Sequence, residues 1–398
     1  MRCRCNALSL TALGQALRFR VSAVSFRFLH TADWQAGKPF GNVPGDAGAA
    51  LRRQRIDTIA TVARLATEQR VDAVLVAGDA FDSNEVEDRT INQVLAALTP
   101  FEGTWVFVPG NHDAALPHSV WSRLRRLHAP ANIVVADKPE PIELQQGRAV
   151  ILPAPLRRRR ESSDLTAWFG GTVTRSGAIR VGLAHGSVAN RLPGGSEAAN
   201  MIAEDRARSA DLDYLALGDW HGTLQIADRT WYSGTPETDR HRDNQSGNVL
   251  LVETDGHGAV PRVTPMPTGA YAWRRAEVAL IDGRADAVSQ ILGSLQVEHQ
   301  RAVVELTVTG VISLAERHAM ERELATWRSR LHHLVVNDAG LHEEPTDDDL
   351  DALGAGFVGL AVERLRAMSE DPAHPDQVAS RVALRMLFID HMNARSSE

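Results

Sequence analysis

Five short stretches of this chain combine residues that bind hard metal ions. They are Asp33-Trp34-Gln35, Gly78-Asp79-Ala80-Phe81-Asp82, Gly110-Asn111-His112-Asp113, His185-Gly186 and Gly218-Asp219-Trp220-His221. Carboxylate and amide oxygens with imidazole nitrogens are the donor set of Mn, Fe, Zn and Mg sites. The glycines beside them let the backbone turn sharply and bring ligands from separate segments together. Two divalent cations about 3.5–4 Å apart can share a bridging carboxylate and hydroxide and jointly polarise a phosphoryl oxygen. Singly the stretches say little, since Gly-Asp after a strand is most often a turn and a lone His is most often a loop residue. Gly110-Asn111-His112-Asp113 is more specific, because it offers an amide, an imidazole and a carboxylate in succession.

These ligands need elements to position them. Phe26–His30, Val71–Ala77, Thr104–Val108, Ile179–Ala184 and Tyr214–Leu217 are apolar runs that predict strands, each leading into one of the stretches. Ala149–Leu152 and Asn248–Glu253 predict further strands, and Leu51–Arg70 and Val86–Leu98 predict helices between them. Nearly continuous apolar strands indicate sheets buried on both faces. In such layered folds the site lies beyond the C-terminal strand ends.

Around Pro265–Gly269 the composition turns to Pro, Gly and Thr, a boundary signal. Beyond it, strands are predicted at Trp273–Leu280, Ala302–Thr309 and His333–Asn337, with helices at Ala285–Leu295 and Leu314–Leu331. That is a small α+β unit. Glu343–Asp351 reads as an acidic linker, and two amphipathic helices follow. One carries the stripe Phe357, Leu360, Ala361, Leu365 and Met368, and the other Val378, Val382, Met386 and Ile389. The expected organisation is a leader over 1–25, a metal-bearing domain over 26–268, an α+β domain over 269–343, and a linker with helices over 344–398.

Composition sets outer limits. The chain has 398 residues, 43% hydrophobic and 23% charged, with a formal net charge of −7. That is a globular chain of roughly two to three domains. No apolar run reaches the ~18–20 residues that span a bilayer. Cys3 and Cys5 are the only cysteines, so the rest of the chain has no disulfide and no nucleophilic thiolate. Only Lys38 and Lys138 are lysines among 43 basic residues. The acidic balance argues against a generally basic DNA-coating protein, while leaving room for nucleic acid bound locally through metals or a partner. Arg2, Arg4, Arg18 and Arg20 precede the first acid, Asp33, but polar residues interrupt Ala7–Leu17. We read the leader as a disordered extension or an early start rather than a cleaved signal, with the cytoplasm as default location.

The order of the five motifs resembles the calcineurin-like metallophosphoesterase superfamily. Its pattern is Asp-x-His, Gly-Asp-x-x-Asp, Gly-Asn-His-Asp/Glu, a later His, then Gly-His-x-His. More narrowly, Leu29-His30-Thr31-Ala32-Asp33-Trp34-Gln35 and Gly234-Thr235-Pro236-Glu237 resemble nuclease subunits of the SbcD type. The resemblance implies an α/β fold, a metallophosphoesterase-type sandwich of two mixed β-sheets flanked by helices, with the small α+β unit as a cap. It implies two divalent cations, Mn²⁺ first and Mg²⁺ second. One would take Asp33, Gln35, Asp79 and His221, the other Asp79, Asn111, His185 and Asp219, with Asp79 bridging. His112 would protonate the leaving oxygen, while Asp113 and Asp82 would orient His112 and the ligand loops.

The implied activity is a DNA phosphodiesterase, a 3′-directed exonuclease with single-strand endonuclease action, in DNA repair or processing. The implied partners are DNA ends, an SbcC-like coiled-coil ATPase held through the C-terminal helices, and a second copy of this chain. The alternatives are a phosphodiesterase or phosphatase for small nucleotides or phosphoproteins, and a non-catalytic assembly subunit.

Two positions depart from the family pattern, since Gln35 and Asp219 stand where the family has His. Both keep an oxygen donor. Three coordinating carboxylates against two divalent cations leave about +1 rather than +2, which predicts weaker Lewis acidity and a preference for harder ions. Arg157-Arg158-Arg159-Arg160 reads either as a solvated loop or as a phosphate contact. Trp34 and Trp220 read as wedges against the core before base-stacking platforms. Asp239-Arg240-His241-Arg242-Asp243 reads as a solvated loop before a substrate rim.

Overall fold

The computed structural model describes residues 25–188, 191, 200–280, 284–343, 350 and 356–396. The predicted leader, apart from Ser25, and most of the predicted linker Glu343–Asp351 lie outside the described residues.

Two six-stranded sheets carry the metal-type motifs. The first holds β1 (Phe26–Thr31), β2 (Ala73–Ala77), β3 (Thr104–Val108) and β4 (Ile133–Val135), all parallel. The second holds β5 (Ile142–Leu144), β6 (Ala149–Ala154), β7 (Ile179–His185), β10 (Tyr214–Gly218), β11 (Leu224–Ala227) and β12 (Thr230–Tyr232). Its order is β11-β12-β10-β7-β6-β5, with β12, β10, β7 and β6 parallel and an antiparallel strand at each edge. A short pair, β8 (Ser187–Val188) and β9 (Met201–Ile202), stands apart. β13 (Asn248–Thr254) and β14 (Arg262–Pro267) return antiparallel to complete the first sheet as β14-β13-β1-β2-β3-β4. Both sheets are mixed, as the family resemblance implies.

The sheets face each other through Phe28, Leu75 and Val106 on one side and Ile151, Val181 and Tyr214 on the other, all fully buried. Each such side chain contributes about 1.5–3 kcal/mol on leaving water. Helices α1 (Gly45–Glu68), α2 (Asp88–Leu98) and α3 (Val120–Arg126) cover the outer face of the first sheet through Ile59, Val62, Ile91 and Trp121. Helix α1 starts six residues before the predicted Leu51, because Gly45-Asp46-Ala47-Gly48 shows no apolar period to read. The outer face of the second sheet is closed by Phe169, Leu212 and the short helix α4 (Arg206–Ser209). Strands β4, β5, β11 and β12 have no counterpart in the sequence reading, being only three or four residues long.

A third sheet follows, with β15 (Ala272–Leu280), β16 (Ala302–Ile312) and β17 (His333–Glu343) in parallel. Helices α5 (Asp286–Ser294) and α6 (Leu314–Arg330) make the crossovers that parallel strands require. Strands β16 and β17 run past their predicted ends at Thr309 and Asn337, where Gly310 and Asp338-Ala339-Gly340 interrupt the alternation. Glu237 fastens this unit to the sandwich. Its carboxylate accepts from Thr58 Oγ1 at 2.6 Å and from the backbone N–H groups of Ala270 and Tyr271 at 3.0 Å.

The closing helices α7 (Phe357–Glu370) and α8 (Gln377–Ser396) pack on the end of β16. The ridge they bury is Val362, Leu384 and Phe388 against Val311. Of the predicted stripes, Leu365 and Ile389 pack partly there, whereas Phe357, Leu360, Val378 and Met386 are exposed. No helix among the described residues is long and apolar enough to cross a membrane.

Candidate metal centre

The motifs converge at the C-terminal strand ends. Asp33 follows β1, Asp79 follows β2, Asn111 and His112 follow β3, His185 closes β7, and Asp219 and His221 follow β10. Asp33, Gln35, Asp79 and Asp219 have φ of 55°, 44°, 52° and 102°. Each such left-handed residue costs of order 1–3 kcal/mol and persists only where neighbours fix it. Here the turns after β1 and β2 continue to pair. Asp33 N donates to Gly78 O at 3.1 Å, and Gln35 N donates to Asp79 O at 2.8 Å. Gly78 and Gly110 are required by close approach: a Cβ would lie 2.2 Å from His185 Nδ1 and 2.2 Å from Asp79 Oδ1 respectively.

His185 donates from Nδ1 to Ala77 O at 2.9 Å, so its Nε2 presents a lone pair. That lone pair faces Asn111 Oδ1 at 3.0 Å, Asp79 Oδ2 at 3.5 Å and Asp219 Oδ1 at 3.8 Å. Four acceptor atoms facing one another repel unless a proton or a cation sits between them. Asp33, Asp79 and His185 also offer ligand atoms within 4.8 Å of one another. Asp219 N donates to both Asp33 oxygens at 3.2 Å, and Ser187 Oγ holds Asp219 Oδ2 at 2.8 Å.

Burial pushes the Asp33 and Asp79 carboxyls well above the usual carboxylate range. Neighbouring carboxylates add to this, Asp79 and Asp219 for Asp33, and Asp113, Asp219 and Asp82 for Asp79. A divalent cation reverses both effects, so Asp79, Asn111, His185 and Asp219 fit one.

His112 stands at the rim, with its side chain 30% exposed. Its Nδ1 donates to Asp82 O at 2.8 Å, leaving Nε2 turned to the centre, 4.0 Å from Asp79 Oδ2. Asp82 therefore orients His112 through its carbonyl. Asp113 is fully buried, and its carboxylate accepts from Gly110 N at 2.7 Å and Phe81 N at 3.1 Å. It clamps two ligand turns. Burial raises its carboxyl, against those two N–H bonds.

The other half of the centre differs from its expected form. Gln35 Oε1 accepts from Lys38 Nζ at 3.1 Å, and the Gln35 amide nitrogen lies 3.5 Å from His221 Nε2. Lys38 also bonds Asp239, and Arg240 Nη2 lies 3.1 Å from His221 Nδ1. Burial lowers His221 to about 4, and Arg240 and Lys38 add to this against Asp239. Asp239 is buried among Lys38, His221 and Arg55, so the solvated-loop reading is corrected at this residue. Arg55, also buried, donates to Trp34 O at 2.6 Å and Asp33 O at 3.1 Å. It thereby holds the first ligand turn to α1.

Sequence reasoning missed Lys38, Arg55 and Asp239 as parts of this centre. The available signal was Lys38, one of two lysines in a chain that otherwise uses Arg. Trp34 is a core wedge, edge-on to Trp105 and Phe107. Trp220 is half-buried on the second sheet.

Residues 26–222 match the family model for calcineurin-like phosphoesterases. The chain is 27% identical over 290 residues to the SbcD component of the nuclease SbcCD from Rhodobacter capsulatus, covering 61% of this chain and 69% of that one. Among solved structures, purple acid phosphatase PPD1 from yellow lupin seeds has 13% identity and a TM-score of 0.41, covering 61% of this chain and 52% of its own. A dimetal phosphatase from Danio rerio has 12% identity and a TM-score of 0.36, covering 60% of this chain and 98% of its own.

Proposed function

Because this chain belongs to the calcineurin-like phosphoesterases and is a metal-dependent hydrolase of ester bonds, we propose that it is a nuclease that cleaves phosphodiesters in DNA. The observation that carries this is the convergence of Asp79, Asn111, His185 and Asp219 beneath the open Nε2 of His112. A divalent cation held there, Mn²⁺ first and Mg²⁺ second, would supply Lewis-acid activation of water and of a phosphoryl oxygen. His112 acts as general acid toward the departing 3′ oxygen. With Nδ1 donating to Asp82 O, the transferable proton is the one on Nε2. Asp113 keeps Gly110 and Phe81 in place, so that Asn111 and Asp79 stay aligned.

Two features support a polymeric substrate. A groove of about 1090 Å³ is lined by Trp220, His241, Arg242, Asp243, Arg274 and Arg275. Arg157–Arg160 are exposed and offer phosphate contacts. Both supply local positive charge on an acidic chain.

In the finer reading the enzyme is a 3′-directed exonuclease with single-strand endonuclease action, located in the cytoplasm and working in DNA repair or processing. Residues 26–268 form the catalytic domain, 269–343 cap it, and 344–398 bind an SbcC-like coiled-coil ATPase in an assembly with two copies of each chain. The relative's name and the exposed Phe357, Leu360, Val378 and Met386 support that partnership.

Competition between a single-stranded oligonucleotide and a chromogenic phosphodiester, both with Mn²⁺, tests the substrate class. The oligonucleotide should suppress chromogen turnover at concentrations well below the chromogen's own KM. Turnover of the small ester undisturbed by DNA would assign the enzyme to small nucleotides instead.

A further inference from the structure

We propose that this centre binds a single divalent cation tightly, on Asp79, Asn111, His185 and Asp219, and that the Lys38 ammonium occupies the role of the second cation. The inference deepens the metal-dependent reading and rests on it.

Two of the four residues expected to hold the other cation, Gln35 and His221, have their donor atoms engaged elsewhere. Lys38 has only N–H donors, so it fixes the Gln35 amide with the oxygen toward itself. The Gln35 nitrogen, which can only donate, is left facing His221. Flipping the amide would set the NH₂ group against the ammonium. His221 Nε2 is engaged in either neutral tautomer. If Nδ1 accepts from Arg240 at 3.1 Å, the proton is on Nε2. If Nδ1 instead donates toward Asp239 at 3.5 Å, Nε2 takes the Gln35 N–H. Only Asp33 and Asp79 remain as donors; Asp79 already serves the other half, and the Asp33 oxygens accept from Asp219 N. A metal there would also lie beside the fixed charges of Lys38 and Arg240.

The backbone builds this arrangement. Lys38 N donates to Gln35 O at 3.0 Å, closing a turn through Gly37 at φ 97°. A Cβ on Gly37 would lie 2.7 Å from Val86 Cγ1, so the turn that folds Lys38 back onto Gln35 has little freedom. Asp239, buried and shared with Arg55, anchors the ammonium from the far side.

The test is Mn²⁺ titration of chelator-treated full-length protein, followed by calorimetry and by electron paramagnetic resonance. The expected result is one Mn²⁺ per chain with the six-line spectrum of an isolated ion, and any second ion at least 100-fold weaker. The double variant Q35H/K38M should take up a second Mn²⁺ within about tenfold of the first and show a spin-coupled spectrum. Two ions of similar affinity in the wild type would overturn the proposal, whatever the variant does. A folded double variant that stays at one ion would overturn the role given to Lys38. Zero bound Mn²⁺ would overturn the metal-dependent reading itself, which separates the two failures.

Discussion

Replacing Asp79 by Asn should stabilise the metal-free protein and abolish its response to metal. Asp79 is buried, and its carboxylate lies among Asp113, Asp219 and Asp82 with no cationic side chain bonded to it. The hydrogen bond from His112 N to Asp79 Oδ1, at 2.9 Å, survives in Asn. The substitution therefore removes an acid whose ionised form is disfavoured by its surroundings, without removing a partner. Relief of a buried, uncompensated carboxylate is worth roughly 2 kcal/mol here, at the low end of such penalties. For a folded unit of this size that is about 4–8 °C in Tm. In the wild type, Mn²⁺ at 100-fold over Kd should add about 2.7 kcal/mol, or about 5–11 °C. The order of the two proteins should thus reverse on adding metal: variant above wild type in chelator, wild type above variant in Mn²⁺. Differential scanning fluorimetry at pH 7.5 measures both. A variant less stable than wild type in chelator, or one gaining as much from Mn²⁺, would refute the placement of Asp79 in a metal cage.

Other outcomes follow from the same geometry. His112→Ala should lower kcat on an oligonucleotide by roughly 10²–10⁴-fold while leaving Mn²⁺ affinity unchanged by calorimetry, since the ring reaches the centre only through Nε2. Arg55→Met should cost about 3–5 kcal/mol by denaturant midpoint, because it leaves the buried Asp33 and Trp34 carbonyls without their donor and takes one of the cations from buried Asp239. His30, buried between the sheets against Tyr214 and Leu217 O, is lowered by burial from 6.5 to about 3. Its folded value is depressed, so its contribution is complete above pH 6.5 and is lost as pH falls toward 3, with roughly 2 kcal/mol gone at pH 5. The raised Asp33 and Asp79 act in the opposite sense without metal. The comparison is therefore wild type against His30→Gln from pH 7.5 to 5, and the gap between them should shrink by about that amount.

Much of the layered frame is legible in the sequence because the strands that carry the site are short apolar runs that each stop at a metal-type motif. Thr104–Val108 agrees to the residue, and the other strands leading into the motifs agree to within two residues. Strands β4, β5, β11 and β12 carry no readable period at three or four residues. The stripes predicted for the closing helices differ from the ridge they bury, because Val362, Leu384 and Phe388 are chosen by the shape of the β16 end, which no local pattern encodes. The half of the centre around His185 is legible, since each ligand lies directly past its strand. Lys38, Arg55 and Asp239 are not, because buried ion pairing across about 180–200 positions leaves no mark on local hydropathy.

The most direct test of the central claim is cleavage of a 5′-labelled single-stranded oligonucleotide by chelator-treated protein as Mn²⁺ is restored, alongside His185→Ala. Cleavage should appear with Mn²⁺ in the wild type, vanish in chelator, and fail in the variant at every Mn²⁺ concentration that saturates the wild type. Cleavage that persists in chelator, or that His185→Ala supports at the wild-type rate, would contradict a metal cage built around His185.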